Sequence, residues 1–152
     1  MSKETVTVRA AEAAAERTKH IKLGTGVASL PYHHPFMVAG RATQLDHMTR
    51  GRFMLGVGPG ALVGDAYRMG IDPEQQRRMM NESLDVIVKL LDGETVTMKS
   101  DWFEVKDAHV QIPPFTVPVS YTHLSDHETL RYLVLRLMLE KKSMVGGGGG
   151  GG

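Results

Sequence analysis

The sequence predicts an α/β protein with a parallel sheet. Two short apolar runs, residues 21–27 and 52–57, are separated by a segment with helical spacing, and another helical pattern follows them. Parallel strands need a long crossover between them, usually a helix, so this alternation is typical of a βαβ unit. In such units ligands bind in the loops after the carboxyl ends of the strands, which here are residues 26–34 and 58–64.

The helices around these strands have recognisable compositions. Residues 7–19 are rich in alanine, glutamate and arginine, which have high helix propensity, and we expect a helix there. The crossover helix is predicted over residues 35–48, because Pro35 suits the first turn of a helix and Val38, Ala42 and Leu45 recur at helical spacing. Gly51 stands where glycine commonly ends a helix.

A third helix is predicted to begin at Asp72. This residue can cap the helix, Pro73 suits its first position, and Gln75 can complete a capping box. Gly93 ends the helix. Its apolar side chains form one stripe: Met80, Leu84, Ile87, Val88 and Leu91.

After this helix the sequence predicts a hairpin and little further sheet. Residues 95–99 and 102–106 are the two strands of the hairpin, and residues 109–112 are a candidate short strand before Pro113 and Pro114. Two parallel strands cannot close a barrel, and an eight-stranded barrel needs about 250 residues. We therefore expect an incomplete domain that folds poorly and does not hold a cofactor by itself, because both sheet edges would be unpaired.

The chain changes character at Val119, so we divide it into a partial barrel domain, residues 1–118, and a tail, residues 119–152. Ser125 and Glu128 form a capping-box pattern, followed by an apolar helical stripe. The stripe comprises Leu130, Leu133, Val134, Leu137 and Met138. The amino-acid sequence of this tail nevertheless resembles the translation of a sequencing adapter, and its glycine run resembles the translation of a homopolymer read. We expect no specific contribution from this tail; the alternative is an amphipathic partner helix with a glycine tag.

Composition excludes several function classes. The chain has 18 Lys and Arg residues against 17 Asp and Glu residues, which gives no electrostatic case for binding nucleic acid or an anionic membrane. It has no cysteine, hence no disulfide or thiolate metal site. No apolar run approaches the roughly 20 residues that span a bilayer, and the amino terminus lacks the apolar core of a secretory signal. These features favour a cytoplasmic protein.

Two histidines and a set of glycines are the candidate functional residues. His33 and His34 follow the first strand; adjacent side chains point apart, which is poor metal geometry, so we predict no metal site. A histidine here either caps or is solvated, or performs acid–base chemistry. Gly56, Gly58 and Gly60 lack dinucleotide or P-loop spacing. They indicate either a tight turn or the close approach of a flat ligand or its phosphate to bare main chain.

Four blocks in this stretch, LGTGV, LPYHHP, LDHMTRGRF and GVGPG, resemble the flavin-dependent luciferase-like monooxygenases. The resemblance covers about residues 8–118. It implies a fragment of a (β/α)8 TIM barrel, from about the second helix to the fourth helix plus the hairpin, without strands one, two and five to eight. It also implies a monooxygenase that uses reduced flavin (FMN) to insert one oxygen atom from O2 into an apolar organic substrate.

The resemblance also suggests site residues. His34 matches a histidine close to the flavin and is the implied catalytic residue. A non-prolyl cis peptide that supports the flavin ring would map to Gly26–Val27. The implied cofactor-binding residues are Gly26, Val27, Gly58, Pro59, Gly60 and Ala61. Gly58 stands where the luciferase branch has a reactive cysteine and Pro59 where it has a phosphate-binding arginine. Both argue against light emission and against an FMN-phosphate contact from this loop, and they suit the limonene- and alkane-monooxygenase-like branch.

Two alternatives remain open from the sequence. A deazaflavin-dependent oxidoreductase of the same fold would use coenzyme F420 and transfer hydride without oxygen. The chain as written could also be a non-catalytic fragment. The partners that the resemblance implies are a small apolar organic substrate, O2 and a flavin reductase as electron donor; the family is often dimeric, and we expect neither nucleic acid nor a membrane as partner.

Overall fold

The computed structural model describes residues 3–60, 62–116, 120–121 and 133–136. The helices are α1 (Lys3–Arg17), α2 (Pro35–Thr49), α3 (Val63–Arg68) and α4 (Gln76–Leu91). The strands are β1 (Leu23–Gly24), β2 (Ala28–Ser29), β3 (Phe53–Gly58), β4 (Val96–Lys99), β5 (Glu104–Ala108), β6 (Ser120–Tyr121) and β7 (Leu133–Arg136). None of the helices in these ranges is long and apolar enough to cross a bilayer.

The predicted βαβ unit is present. Strand β1 pairs in parallel with the start of β3, and β2 pairs in parallel with its end, so that Leu23 lies opposite Phe53 and Ala28 lies opposite Val57. Helix α2 connects these strands. The prediction of one continuous strand over residues 21–27 is wrong, because the pairing stops after the Thr25 N–H, which donates to Met54 O at 3.2 Å, and resumes only at Ala28.

The other edge of β3 is paired as well. Strand β7 runs antiparallel to β3 from Met54 to Val57, and β6 pairs antiparallel with β7. This corrects the expectation that both edges of the parallel pair are open. It also places Leu133 and Val134 in a strand, where the alternative interpretation of the tail had a helix. A strand edge presents unpaired main-chain groups, and pairing them outweighs a weak local helix preference. The other residues of the predicted stripe, and the Ser125–Glu128 pattern, lie outside the described residues.

The core lies between the sheet and helices α2 and α4. Helix α2 buries Val38, Ala42 and Leu45 as predicted, and β3 alternates so that Phe53, Leu55 and Val57 face the helices. In α4 the buried apolar residues are Met79, Val86, Ile87, Leu90 and Leu91, with Met80, Leu84 and Val88 partly buried. The buried face of α4 is therefore shifted around the helix by about one residue from the predicted stripe.

Helix α4 begins at Gln76, three residues later than the Pro73 start that the capping pattern predicted. The carboxylate of Asp72 accepts a hydrogen bond from the main-chain N–H of Glu74 at 3.0 Å, which closes a tight turn before the helix. Asp72 thus stabilises that turn instead of capping the helix.

The predicted hairpin is confirmed, with β4 and β5 antiparallel and a bulge between Val96 and Met98. The turn of the hairpin is fastened to α4. Glu82 accepts hydrogen bonds from Ser100 Oγ at 2.7 Å and from Trp102 Nε1 at 2.9 Å. Arg78 donates to both carboxylate oxygens of Asp101, at 2.8 and 3.0 Å. The predicted strand over residues 109–112 is absent, because this stretch turns toward two prolines and has no strand beside it.

At the amino-terminal end of β3, Arg52 joins three segments. Its Nε donates to Thr49 O at 2.9 Å, Nη1 donates to Ile21 O at 2.7 Å, and Nη2 donates to Thr18 O at 2.9 Å. The guanidinium therefore caps the main chain that follows α1 and the last turn of α2 with one rigid group.

At the same end, Asp46 of α2 is fully buried and fastens the segment that follows the hairpin. Its Oδ2 accepts hydrogen bonds from the main-chain N–H and the hydroxyl of Thr116, both at 2.9 Å. The next residue, His47, donates from Nε2 to Pro113 O at 2.8 Å and packs edge-on to Phe115. Residues 113–116 are thereby held against the carboxyl-terminal turn of α2.

Candidate functional site

The carboxyl ends of β2 and β3 lie side by side, and each is followed by a loop that sequence analysis marked. Ser29, the last residue of β2, lies opposite Gly58, the last residue of β3. We call residues 25–27 the bulge and residues 58–60 the glycine loop. Both lie along one strand pair, as the prediction of a cleft formed by residues 26–34 and 58–61 requires.

The bulge is organised by the side chain of Thr25. Its hydroxyl donates to Gly56 O and accepts from Gly56 N, both at 2.8 Å. The side chain thus joins the bulge to β3, in addition to the main-chain hydrogen bond from Thr25 N to Met54 O at 3.2 Å. Within the bulge, the peptide bond between Gly26 and Val27 is cis, at the position that the resemblance implied.

Gly56 and Gly26 lack a side chain for different structural reasons. A Cβ on Gly56 would collide with the carbonyl oxygen of Thr25, so glycine is required there to let β3 approach the bulge. A Cβ on Gly26 would meet no protein atom within 4 Å. Gly26 is exposed, and its surface is therefore bare main chain facing open space that a flat ligand could fill.

The glycine loop rests on two side chains that sequence analysis did not select. Gly60 has φ +89°, and a Cβ there would lie 2.6 Å from the Tyr32 hydroxyl and 2.8 Å from Gln76 Nε2. Gln76 donates a hydrogen bond to the Tyr32 hydroxyl at 2.8 Å. Gly58 and Pro59 complete the loop; Ala61, the remaining predicted cofactor-binding residue, lies outside the described residues.

His34 lies at the N-cap position of α2 and is exposed. Its contacts are with the hairpin: Nε2 is 3.2 Å from Glu104 O, and the ring packs edge-on to Phe103 with centroids 6.1 Å apart. A carbonyl oxygen can only accept, so Nε2 carries the proton in this bond. The structure thus brings Tyr32, and not His34, into contact with the glycine loop.

His33 is half-buried beside Val38 and Ala42 of α2. Burial, followed by the nearby charge of Arg41, lowers the pKa of His33 below its ordinary value of 6.5. His33 is therefore neutral at physiological pH. Among the described residues, no group of three or more His, Cys, Asp or Glu side chains is placed to hold a metal ion.

Sequence reasoning missed Thr25, Tyr32 and Gln76. Thr25 and Tyr32 lie within or next to residues 26–34. The sequence therefore predicted the right loop but not these two side chains. Tyr32 carries the usual sign of such a role, an aromatic ring with a polar tip in a loop after a strand. Gln76 had no sequence signal, because its partner is 44 residues away.

The family model described as luciferase-like monooxygenase matches residues 4–132. The chain is 58% identical over 104 residues to limonene 1,2-monooxygenase of Rhodococcus erythropolis, a match that covers 68% of this chain and 27% of that protein. It is 63% identical over 102 residues to 4-hydroxyprotoasukamycin monooxygenase of Streptomyces nodosus subsp. asukaensis, covering 66% and 28%. The chain thus spans little more than a quarter of the length of these relatives.

Solved structures of similar fold include the monooxygenase RslO1 from Streptomyces bottropensis, with a TM-score of 0.69 and 23% identity over 73% of this chain and 34% of that one. The oxygenating constituent of 3,6-diketocamphane monooxygenase from Pseudomonas putida, solved in complex with FMN, has a TM-score of 0.64 and 25% identity over 71% and 33%. A coenzyme F420-dependent tetrahydromethanopterin reductase from Methanopyrus kandleri has a TM-score of 0.59 and 24% identity over 72% and 35%. The chain has the fold of part of a (β/α)8 barrel.

Proposed function

Because the chain belongs to the luciferase-like monooxygenase family, we propose that it contributes one wall of a flavin-dependent monooxygenase that oxidises an apolar organic substrate with O2. We call the barrel in which residues 3–116 are joined by the remaining strands the complete barrel, and the activity belongs to it. Reduced flavin, when bound, supplies the electrons with which one oxygen atom of O2 enters the substrate and the other leaves as water.

The observation that carries this proposal is the bare surface of Gly26. No protein atom lies within 4 Å of a Cβ built there, and the Thr25 hydroxyl holds the bulge rigidly on Gly56. An open, rigid strip of main chain without side chains suits one face of a planar ring, and Val27 offers only a small apolar side chain beside it. The residues present therefore fit a flavin.

The glycine loop lies on the same strand pair and would approach the cofactor from the end of β3. Pro59 has no main-chain N–H and no charge, so it cannot bind a phosphate as an arginine would. Gly58 and Gly60 have no side chains and would bind the cofactor through main-chain groups only. We place the flavin phosphate on residues outside this loop.

His34 is the proposed acid–base residue of the site. Its Nε2 proton is held by Glu104 O, and in the neutral ring Nδ1 is then free to accept or return a proton. The walls of the complete barrel would exclude water from the cleft. Substrate, O2 and a flavin reductase are the proposed partners, and dimerisation is a further proposal from the resemblance.

The name of the Methanopyrus kandleri neighbour favours a second candidate, an oxidoreductase that uses coenzyme F420 and transfers hydride without O2. The ring of a deazaflavin would use the same surface of Gly26. Titrating the complete barrel with FMN and with F420 separates the two: quenching of flavin fluorescence and O2-dependent product with FMN support the monooxygenase, whereas tight binding of F420 alone supports the reductase.

We propose the boundary between barrel and tail at residue 118, with residues 119–152 extraneous. The antiparallel pairing of β7 with β3 supports it, since neighbouring strands of a (β/α)8 barrel are parallel. The family match counts against it, because it continues to residue 132. Sequencing the source locus downstream of the codon for Pro118 decides the point.

The test of the cofactor surface is Gly26→Ala in the complete barrel, with Gly40→Ala as the matched control. Both glycines are exposed and neither has a protein atom within 4 Å of an added Cβ. Gly26→Ala should weaken FMN binding at least about tenfold, since one misplaced methyl group costs about 1.4 kcal/mol or more against a close-packed ring. Gly40→Ala lies in α2 and should leave FMN binding unchanged. Equal affinities of the two variants would contradict the proposed cofactor surface.

A further inference from the structure

Three separate segments meet at the hydroxyl of Tyr32. Tyr32 itself ends the short turn after β2, Gly60 belongs to the glycine loop after β3, and Gln76 is the first residue of α4. Gln76 is 6% exposed and Tyr32 is half-buried, so the pair forms a partly accessible polar floor at the side of the glycine loop. This floor lies at the carboxyl end of the strand pair, where the proposed function places the cofactor.

The hydrogen bond within this pair has a direction. Gln76 Nε2 donates and the Tyr32 oxygen accepts, at 2.8 Å. A tyrosine hydroxyl that accepts one bond still has its own proton to donate. Among the described residues, no acceptor for that proton is recorded, so the hydroxyl proton is available to a ligand.

We propose that Tyr32 is a ligand-binding residue of this site: its hydroxyl, oriented by Gln76, donates a hydrogen bond to an oxygen of the ligand that lies over the glycine loop. The chain of donors runs from Gln76 Nε2 through the Tyr32 hydroxyl to the ligand. The acceptor is a carbonyl or phosphate oxygen, both of which flavin-type cofactors carry. The inference rests on the proposed function and adds a side-chain hydrogen-bond donor to that site, which Gly58, Pro59 and Gly60 of the glycine loop lack.

The first arm of the test compares Tyr32→Phe with Tyr67→Phe in the complete barrel. Both changes remove one phenolic oxygen, but Tyr67 lies on α3 and is 83% exposed. Tyr32→Phe should raise the dissociation constant of FMN by roughly three- to tenfold, the range of one hydrogen bond. Tyr67→Phe should leave it unchanged. Unchanged FMN affinity in Tyr32→Phe overturns the inference.

The second arm separates ligand binding from a merely structural bridge. Gln76→Glu keeps the shape of the side chain and the contact with Tyr32, but a carboxylate accepts, so it takes the tyrosine proton for itself. The N-terminus of α4 tolerates a negative charge. If the ligand needs that proton, Gln76→Glu weakens FMN binding as much as Tyr32→Phe does. If Gln76→Glu binds FMN normally while Tyr32→Phe does not, Tyr32 is only a bridge and the inference is wrong.

Riboflavin and FMN distinguish the two acceptors. If Tyr32 donates to a ring oxygen, Tyr32→Phe should weaken the binding of riboflavin and FMN equally. If it donates to the phosphate, only the affinity for FMN should fall. If Gln76→Glu does not fold, the Tyr32→Phe and Tyr67→Phe pair still decides. Failure of the unsubstituted complete barrel to bind either ligand would count against the proposed function, whereas binding that ignores Tyr32 would count only against this inference.

Discussion

The main chain near the two ends of strand β3 is treated differently: side chains bind it at one end, and it is exposed at the other. At the amino-terminal end, long polar side chains reach the main chain: Arg52 donates to carbonyl groups of two other segments, and the buried Asp46 accepts from Thr116. At the carboxyl end, Gly26 is exposed, and no protein atom lies within 4 Å of a Cβ built on it. At one end, side chains of the same chain bind the main-chain groups, and the other end keeps exposed main chain at Gly26 for a ligand. Substitutions at the two ends should separate stability from binding.

The largest loss of stability is expected from Arg52→Ala in the complete barrel. It removes hydrogen bonds to Thr49, Ile21 and Thr18, and the partly buried carbonyl groups of Thr49 and Thr18 lose their donor. We expect the free energy of unfolding to fall by about 3 kcal/mol, measured by urea denaturation, while FMN affinity of the folded fraction is kept. Arg52→Lys should recover only part, since an ammonium cannot reproduce the fork of the guanidinium.

The control for Arg52→Ala is Arg77→Ala, which removes an exposed arginine from α4. Its unfolding free energy should stay within about 0.5 kcal/mol of the parent. A loss as large as that of Arg52→Ala would mean that net charge, and not the capping of carbonyl groups, sets the stability of this end.

The next largest effect is expected from Asp46→Ala. It leaves the N–H and hydroxyl of Thr116 buried without their acceptor and should cost about 2 kcal/mol. Asp46→Asn keeps one acceptor oxygen and should cost less. Thermal unfolding of the complete barrel, followed by circular dichroism, measures both. If the two variants melt together, the acceptor oxygen that asparagine keeps does not stabilise Thr116, and the assignment of the loss to these hydrogen bonds is wrong.

Gly60→Ala should affect both stability and binding, which tests whether the two ends differ as sharply as described. Its φ of +89° strains any other residue, and the added methyl would press on Tyr32 and Gln76. We expect a loss of about 1–2 kcal/mol in unfolding free energy and weaker FMN binding. Gly26→Ala, by contrast, should weaken binding alone. Equal stability of Gly60→Ala and the parent would show that the loop rearranges freely.

The smallest change in stability is expected at acid pH, from the hydrogen-bonded carboxylates that join α4 to the hairpin. Hydrogen bonds from Arg78 and then Ser100 lower the pKa of Asp101 to about 2, below its ordinary value of 3.8. A depressed carboxyl pKa stabilises the folded state fully above pH 3.8, and this contribution is lost as the pH falls toward 2. For Glu82, burial acts in the opposite direction, but bonds from Ser100, Trp102 and Arg78 outweigh it and lower the pKa.

Trp102 reports this titration, because its indole N–H donates to Glu82 and it is the only tryptophan. Its fluorescence should change between pH 3.8 and 2, as Asp101 is protonated, and the protonation of Glu82, whose pKa lies below its ordinary value of 4.5, should add to the change. Asp101→Asn should remove the part of this change that depends on Asp101. A fluorescence profile that is flat above pH 2 in the parent would contradict the assignment.

Much of this fold followed from local sequence patterns. The parallel pair, the start of α2 at Pro35, the hairpin and the cis bond at Gly26–Val27 were all expected, the last from the resemblance. Proline at a helix start and short apolar runs act locally, so sequence alone reports them. The roles of His34 and the cofactor-binding residues stay predictions.

The errors arise where a distant partner decides. The first strand is interrupted because Thr25 binds Gly56, 31 residues away, and Tyr32 binds Gln76 across a similar separation. A side chain that serves as a strand partner has no periodic signature. The segment Leu133–Arg136 is a strand because an open edge of β3 is available to it, although its leucine and valine spacing also fits a helix.

The pairing of β7 with β3 has a consequence for assembly. A sheet edge accepts an incoming strand in either direction, since antiparallel and parallel ladders use the same main-chain groups. The occupant in this chain is covalently tethered, with an effective concentration on the order of millimolar. A separate polypeptide that supplies the next parallel strand must therefore compete with β7 for the edge. Complementation between fragments of this protein would proceed by strand exchange, and its rate would depend on how readily β7 leaves.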